Sequence, residues 1–218
     1  MDTVSILIAD DHPVVRRGLR ALLETRPGWK IVSEESNGRD AVDKVTKLRP
    51  DVAILDISMP DLNGLDAAAL ILKARPETRV LILTMHSAEE LIKKTLAAGA
   101  RGYVLKSDAE RDLITAVDAL LHGRTFFTSA ISGVILDNLR GETTHTGAER
   151  KHGDRLSPRE REIVQLLAEG RSNKEVAAVL DISTRTVENH RAKVMEKLKL
   201  HSLSDLVRYA IRNNIVEA

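Results

Sequence analysis

Apolar and polar positions change their period along the chain. Short, β-branched apolar runs at residues 5–9, 31–32, 52–55, 80–84 and 102–105 alternate with longer stretches at 14–23, 41–48, 65–74, 89–98 and 113–121. In the longer stretches apolar residues return every three or four positions, the helical period, whereas a short continuous run bounded by turn residues suits a buried strand. Strand followed by helix, five times over, predicts an α/β doubly wound, five-stranded parallel sheet with helices on both faces, in the flavodoxin-like order 2-1-3-4-5. Residues 128–139 read as one more helix.

From residue 140 to 155 the chain has no Leu, Ile, Val, Met or aromatic side chain. Such a stretch buries too little surface to offset its ordering entropy, so it reads as a linker. As a flexible coil its 16 residues would span roughly 20–24 Å. Beyond it the pattern is wholly helical. Ser157-Pro158-Arg159-Glu160 and Ser172-Asn173-Lys174-Glu175 are capping boxes, and Gly170 closes the helix between them. A third helix starts near Ser183 and a fourth near Ser202. Four short helices with one tight turn describe a second, all-α helix-turn-helix domain. The predicted organisation is residues 4–121, a connecting segment 122–154, and the helical domain 155–218.

Composition narrows the function. With 43% hydrophobic and 30% charged residues the chain is of ordinary globular type, and without cysteine it has neither disulfides nor a thiolate metal site. A reducing, cytoplasmic setting fits. No apolar run approaches the ~18 residues of a membrane helix, and the acidic start is unlike a signal peptide, so no membrane partner is expected. Aromatic residues are only 2%, too few for a base-stacking platform. Residues 1–150 carry 20 basic against 22 acidic side chains and residues 151–218 carry 13 against 10. The mildly basic tail is compatible with nucleic acid without demanding it.

The chemistry collects at the strand ends. Asp10 and Asp11 follow the first strand, Asp56 the third, Thr84 the fourth and Lys106 the fifth. In a parallel sheet these ends share one edge, where ligands bind. Three carboxylates gathered there repel one another unless a hard cation sits among them, and Mg²⁺ suits carboxylate oxygens and retained waters. A carboxylate attacking phosphorus gives an aspartyl phosphate. Asp56 is the expected phosphoacceptor, because its strand is central and Asp10, Asp11 and Lys106 flank it. Lys106 and Thr84 would neutralise and hydrogen-bond the phosphoryl oxygens. His12 and His86 are set aside as ligands, since oxygen-rich Mg²⁺ sites rarely recruit imidazole; His86 is expected to influence access of water to the phosphoryl group.

Asp10-Asp11-His12-Pro13, Asp56-Ile57-Ser58-Met59-Pro60, Asn63-Gly64, Leu83-Thr84-Met85-His86 and Gly102-Tyr103-Val104-Leu105-Lys106 together resemble the receiver domain of a two-component response regulator, of the NarL/FixJ-like family with a LuxR-type output domain. The resemblance implies that Asp11 and Asp56 ligate Mg²⁺ directly, together with the backbone carbonyl of Ser58, while Asp10 acts mainly through water. It implies that Thr84 and Tyr103 form a switch pair, Thr84 drawn toward the phosphate and Tyr103 following inward. It also implies a partner histidine kinase as phosphoryl donor, with self-phosphorylation and slow self-dephosphorylation rather than enzymatic turnover.

Leu156-Ser157-Pro158-Arg159-Glu160, Asn173-Lys174-Glu175-Val176-Ala177 and Thr186-Val187-Glu188-Asn189-His190-Arg191 resemble the LuxR-type domain. At ~100° per residue Val187, Val194 and Leu198 turn to the core, while Arg185, Asn189, Ala192, Lys193 and Glu196 turn away, with Glu188 at the flank. Arg185 suits guanine, Asn189 adenine and Glu188 the amino group of cytosine; Lys174, Thr186, Arg191 and Lys193 suit phosphates. The position of Glu188 is frequently basic in relatives. In that family the last helix pairs two copies on a pseudo-palindromic operator in double-stranded DNA, and Leu203, Leu206, Val207 and Ala210 would supply a dimerising or internally packed face. Phosphorylation would then free the helix-turn-helix domain or dimerise the receiver, and RNA polymerase is a further expected partner. Two rival readings remain: a phosphatase or phosphotransferase with an aspartate nucleophile, and a regulator of the same fold that ignores phosphorylation.

Overall fold

The computed structural model describes residues 3–85, 89–128 and 156–217. The chain divides into two compact units. The first alternates β1 (Val4–Ala9), α1 (Pro13–Leu23), β2 (Trp29–Glu35), α2 (Gly38–Leu48), β3 (Val52–Asp56), α3 (Gly64–Ala74), β4 (Arg79–Thr84), α4 (Glu89–Ala97), β5 (Gly102–Leu105) and α5 (Ala109–Leu121), then adds β6 (Phe126–Phe127). All pairings are parallel, in the order β2-β1-β3-β4-β5-β6.

The sheet therefore has six strands where the pattern predicts five. Gly102 pairs with Phe126 and Tyr103 with Phe127. Two residues are too few to show a period, which hid this strand at the start of the segment read as a connector. The expected helix over residues 128–139 and the linker over 140–155 lie outside the described residues, save for Thr128, which follows β6. β2 runs seven residues rather than two. It is an edge strand whose polar Ser33, Glu34 and Glu35 break the apolar signal.

Alternation sets the core. Ile6, Ile8, Val52, Ile54, Leu81, Leu83 and Val104 form one buried face with Leu19 and Leu23 of α1 and Leu113, Ala116, Val117 and Leu120 of α5. The opposite parity, including Leu7, Ala53, Leu55 and Ile82, is equally buried; strands covered on both faces read as continuous apolar runs for this reason. Asn37 caps α2, its side chain accepting from the Asp40 amide at 2.8 Å. The start of β3 is tied to β1 by Asp51, whose carboxylate accepts from the Ser5 amide at 2.8 Å and from its hydroxyl at 2.7 Å.

The second unit comprises α6 (Pro158–Ala168), α7 (Asn173–Leu180), α8 (Thr184–Lys197) and α9 (Leu203–Arg212). Both capping boxes form. Gly170 takes φ +87° after α6, and Asp181 makes the tight turn between α7 and α8 at φ +51°. Arg159 locks α6 to α7 by donating to the Leu180 carbonyl at 2.8 Å. Val187 and Val194 are buried with Ile163, Leu166, Val176 and Leu180, and Leu198 packs against them.

Candidate functional site

The acidic edge forms as the strand order dictates. Asp10, Asp11 and Asp56, joined by His12, offer ligand atoms that all lie within 4.8 Å of one another. Lys106, immediately after β5, places its ammonium 2.8 Å from Asp10 Oδ2 and 2.8 Å from Asp56 Oδ2. Asp56 Oδ1 accepts from the Ile57 amide at 2.8 Å. Asp10 Oδ2 is buried, and the Lys106 ammonium at 2.8 Å is its one polar neighbour among the described residues. One ammonium thus faces three carboxylates, two of them buried. The excess negative charge and the three converging carboxylates fit a hard divalent cation such as Mg²⁺.

Burial pushes the Asp56 carboxyl up to about 6, Lys106 opposing the rise and Asp10 adding to it. Burial alone would lower the Lys106 ammonium, but its hydrogen bonds and charge pairing with Asp10 and Asp56 outweigh that and hold it above the usual lysine range. The two partners therefore stabilise opposite charges against a common desolvation cost.

The loop after β3 approaches Asp56 more closely than any side chain permits. Gly64 donates its amide to the Ile57 carbonyl at 2.9 Å. A Cβ on Gly64 would stand 1.8 Å from the backbone oxygen of Asp56. Asn63 then starts α3, its Oδ1 accepting from the Leu65 amide at 3.1 Å and the Asp66 amide at 3.0 Å. Ser58, whose carbonyl was expected to complete the metal shell, lies in this loop two residues beyond Asp56 and is half-buried.

Thr84 and Tyr103 are diagonal neighbours on one sheet face. Ile82 pairs with Tyr103 and Thr84 with Leu105, and alternation puts residues 82, 84 and 103 on the same side. Both are fully buried, and burial raises the Tyr103 phenol above its ordinary range. His86 lies outside the described residues.

In α8 the predicted faces separate cleanly. Arg185, Glu188, Asn189, Ala192 and Lys193 are exposed, while Thr186 and Arg191 are half-buried. The Thr186 hydroxyl is 2.8 Å from that of Ser183, which also caps the helix. Lys174 is exposed at the start of α7. The predicted dimer face of α9 divides. Leu206 and Ala210 are fully buried in their own unit, because they fall on the stripe that covers α6. Leu203, 44% exposed, and half-buried Val207 remain available.

Two residues exceed their sequence reading. His12 was set aside on hardness alone, yet its ring joins the carboxylates. Gly64 carried only a motif; its close approach to Asp56 depends on the folded loop.

Residues 6–118 match the family model of the response regulator receiver domain, and residues 154–210 that of bacterial regulatory proteins of the luxR family. The transcriptional regulatory protein MctR of Rhizobium johnstonii is 35% identical over 98% of this chain and 95% of its own. The oxygen regulatory protein NreC of Staphylococcus epidermidis is 38% identical over 98% of this chain and all of its own length, 100%. Among solved structures, RcsB from Salmonella enterica serovar Typhimurium, bound to a promoter in the presence of phosphomimetic BeF3-, is 28% identical with a TM-score of 0.61, covering 99% of this chain and 100% of RcsB. With its receiver fold, acidic edge and four-helix output unit, the chain belongs to the DNA-binding, LuxR-type response regulators of two-component systems.

Proposed function

We propose that this protein is a transcriptional regulator switched by Mg²⁺-dependent phosphorylation of Asp56, with a histidine kinase as donor. The observation that carries the proposal is the convergence of Asp10, Asp11 and Asp56 within 4.8 Å, with Lys106 2.8 Å from both Asp10 and Asp56. Asp11, Asp56 and the Ser58 carbonyl would hold Mg²⁺ directly, and Asp10 through water. Bound there, the cation neutralises the charge of the transferring phosphoryl group.

In the transfer an Asp56 carboxylate oxygen attacks phosphorus as the phosphorus–nitrogen bond of a phosphohistidine breaks. The imidazole leaves with its electron pair. Lys106, released from Asp56, neutralises the new phosphoryl oxygens, and the Thr84 hydroxyl donates to one of them. Tyr103, on the same face, follows Thr84 and communicates the change to the outer surface of the receiver. Phosphorylation adds about −1.5 to −2 charge, and it biases an existing equilibrium rather than creating a new state.

The output is specific binding of α8 in the major groove of double-stranded DNA, with Arg185, Glu188 and Asn189 on base edges and Lys174, Thr186, Arg191 and Lys193 on phosphates. Domain limits of 4–121 and 155–218, joined through 122–154, suit this division of labour. A homodimer on a pseudo-palindromic operator, with Leu203 and Val207 at its contact, is supported by the likeness to RcsB, which has been solved as dimers bound to DNA. RNA polymerase would be a downstream partner, and the cytoplasm the site of action.

The test is labelling by a small acyl phosphate with Mg²⁺, read by intact mass. The protein should gain one phosphoryl group and Asp56→Asn none. Equal labelling of both, or none without substitution, contradicts the assignment.

A further inference from the structure

The helix α8 is seated on little apolar surface. Its buried residues are Val187 and Val194, one heptad apart, with Met195 and Leu198 half-buried beside them. Burial of apolar surface is non-directional, so these contacts hold the helix against its unit without fixing its tilt. A tilt of about 3° over the roughly 20 Å of α8 moves one end by about 1 Å. A recognition geometry has to be held within about 0.5 Å.

Directional contacts meet the helix at both ends, and both come from the first turn of α6. Arg159 donates through Nη2 to the Leu180 carbonyl at 2.8 Å and through Nη1 to Oε2 of buried Glu162 at 3.0 Å. Leu180 ends α7, where a helix leaves its carbonyls unpaired. Asp181 follows at once and turns the chain into α8. Two bonds from one planar guanidinium fix its plane as well as its place. At the far end Lys197, in the last turn of α8, donates to Glu160 Oε2 at 2.9 Å. The same oxygen accepts from the Ser157 amide at 2.7 Å within the capping box, so the carboxylate is itself held.

We propose that Arg159 and Glu160 are positioning residues for sequence recognition and act on DNA through α8. Arg159 fixes the turn from which the helix starts and Glu160 fixes its last turn, so that Arg185 and Asn189 meet base edges in register. The inference rests on the reading of α8 as the helix that contacts bases. A long basic side chain reaches a phosphate from a shifted helix, whereas a base-edge hydrogen bond is lost. Loss of either anchor therefore costs discrimination between sequences and spares general affinity for DNA.

The probe is a duplex enriched from a random-sequence pool by the unsubstituted full chain, with acyl phosphate and Mg²⁺ present, and the control is the same duplex scrambled. Arg159→Lys keeps the charge but loses the planar fork. Lys197→Met removes the bond to Glu160, and Lys197→Arg retains it. The lysine and methionine variants should lose about tenfold of their preference for the enriched duplex. Their affinity for the scrambled duplex should stay within about twofold, with an unchanged slope of log K against log salt. Lys197→Arg should keep the preference within about twofold. So should Ile163→Val, a core truncation that lowers the melting midpoint and touches neither anchor. Preference retained in Arg159→Lys or Lys197→Met, equal weakening on both duplexes, or an equal loss of preference in Ile163→Val would each overturn the proposal. So would a slope lowered by about 1 in Lys197→Met, the mark of a lost phosphate contact. If the unsubstituted chain enriches no duplex, the reading of α8 fails, and the proposal with it.

Discussion

Asp56 is held almost wholly out of water, with its carboxyl pushed up to about 6 by that burial. Two consequences follow at the scale of single residues. In metal-free protein the raised folded value favours the protonated form. Its contribution to stability is therefore present below the unfolded value of 3.8 and lost as pH rises through about 6. Because proton and Mg²⁺ compete for the same oxygens, Mg²⁺ affinity should fall by up to about tenfold per pH unit below 6 and level off above it. Calorimetry between pH 5 and 7.5 reads this directly, and a flat profile would contradict it. The second consequence concerns Gly64. Since a Cβ there would stand 1.8 Å from the Asp56 carbonyl oxygen, Gly64→Ala must displace the loop that carries the site. A loss of about 1–3 kcal/mol is expected from overpacking, measured by denaturant melting, with acyl-phosphate labelling slowed. Asp10, Asp11, Asp56, Thr84 and Lys106 were legible because a parallel sheet brings its strand ends together whatever the details. The steric demand at Gly64 was not, because it depends on how a loop closes in space.

At the scale of elements, α8 carries exposed Arg185, Glu188 and Asn189 on the side away from buried Val187 and Val194. Substituting Arg185 or Asn189 by alanine should each cost about 1–3 kcal/mol of discrimination at one base position. Lys193→Ala should instead weaken binding to all sequences alike and lower the slope of log K against log salt by about 1. Titrations over a salt series with operator and scrambled duplexes separate the two behaviours; a Lys193 variant that changed sequence preference would move it off the phosphates. The helices of this unit could be read from sequence because their ends are written locally, in Ser157 with Glu160 and Ser172 with Glu175. β6 was invisible for the opposite reason, since Phe126 and Phe127 are a strand only through pairing with Gly102 and Tyr103. The same limit applies to α9. Periodicity gave its apolar stripe but not the division between Leu206 and Ala210, which face the core, and Leu203, which does not. Leu203→Glu should accordingly weaken dimer formation on DNA while leaving the melting midpoint nearly unchanged, a pair of readings obtained by sedimentation and calorimetry.

At the scale of the whole molecule, the proposed function couples two compact units through one chemical event. The receiver match over residues 6–118 and the luxR match over 154–210 assign a signal input and a DNA output to the same chain. Coupling requires that phosphate stabilise one conformation over another; a shift from 1:99 to 99:1 needs ~5.5 kcal/mol of differential stabilisation. The most direct measurement is affinity for an operator duplex with and without acyl phosphate and Mg²⁺, at fixed salt, for the unsubstituted protein and for Asp56→Asn. Phosphorylation should tighten binding by about tenfold or more, equivalent to at least about 1.4 kcal/mol, and the Asp56→Asn protein should show no response. Equal affinities of the phosphorylated and unphosphorylated protein, or a response that survives in Asp56→Asn, would contradict the account.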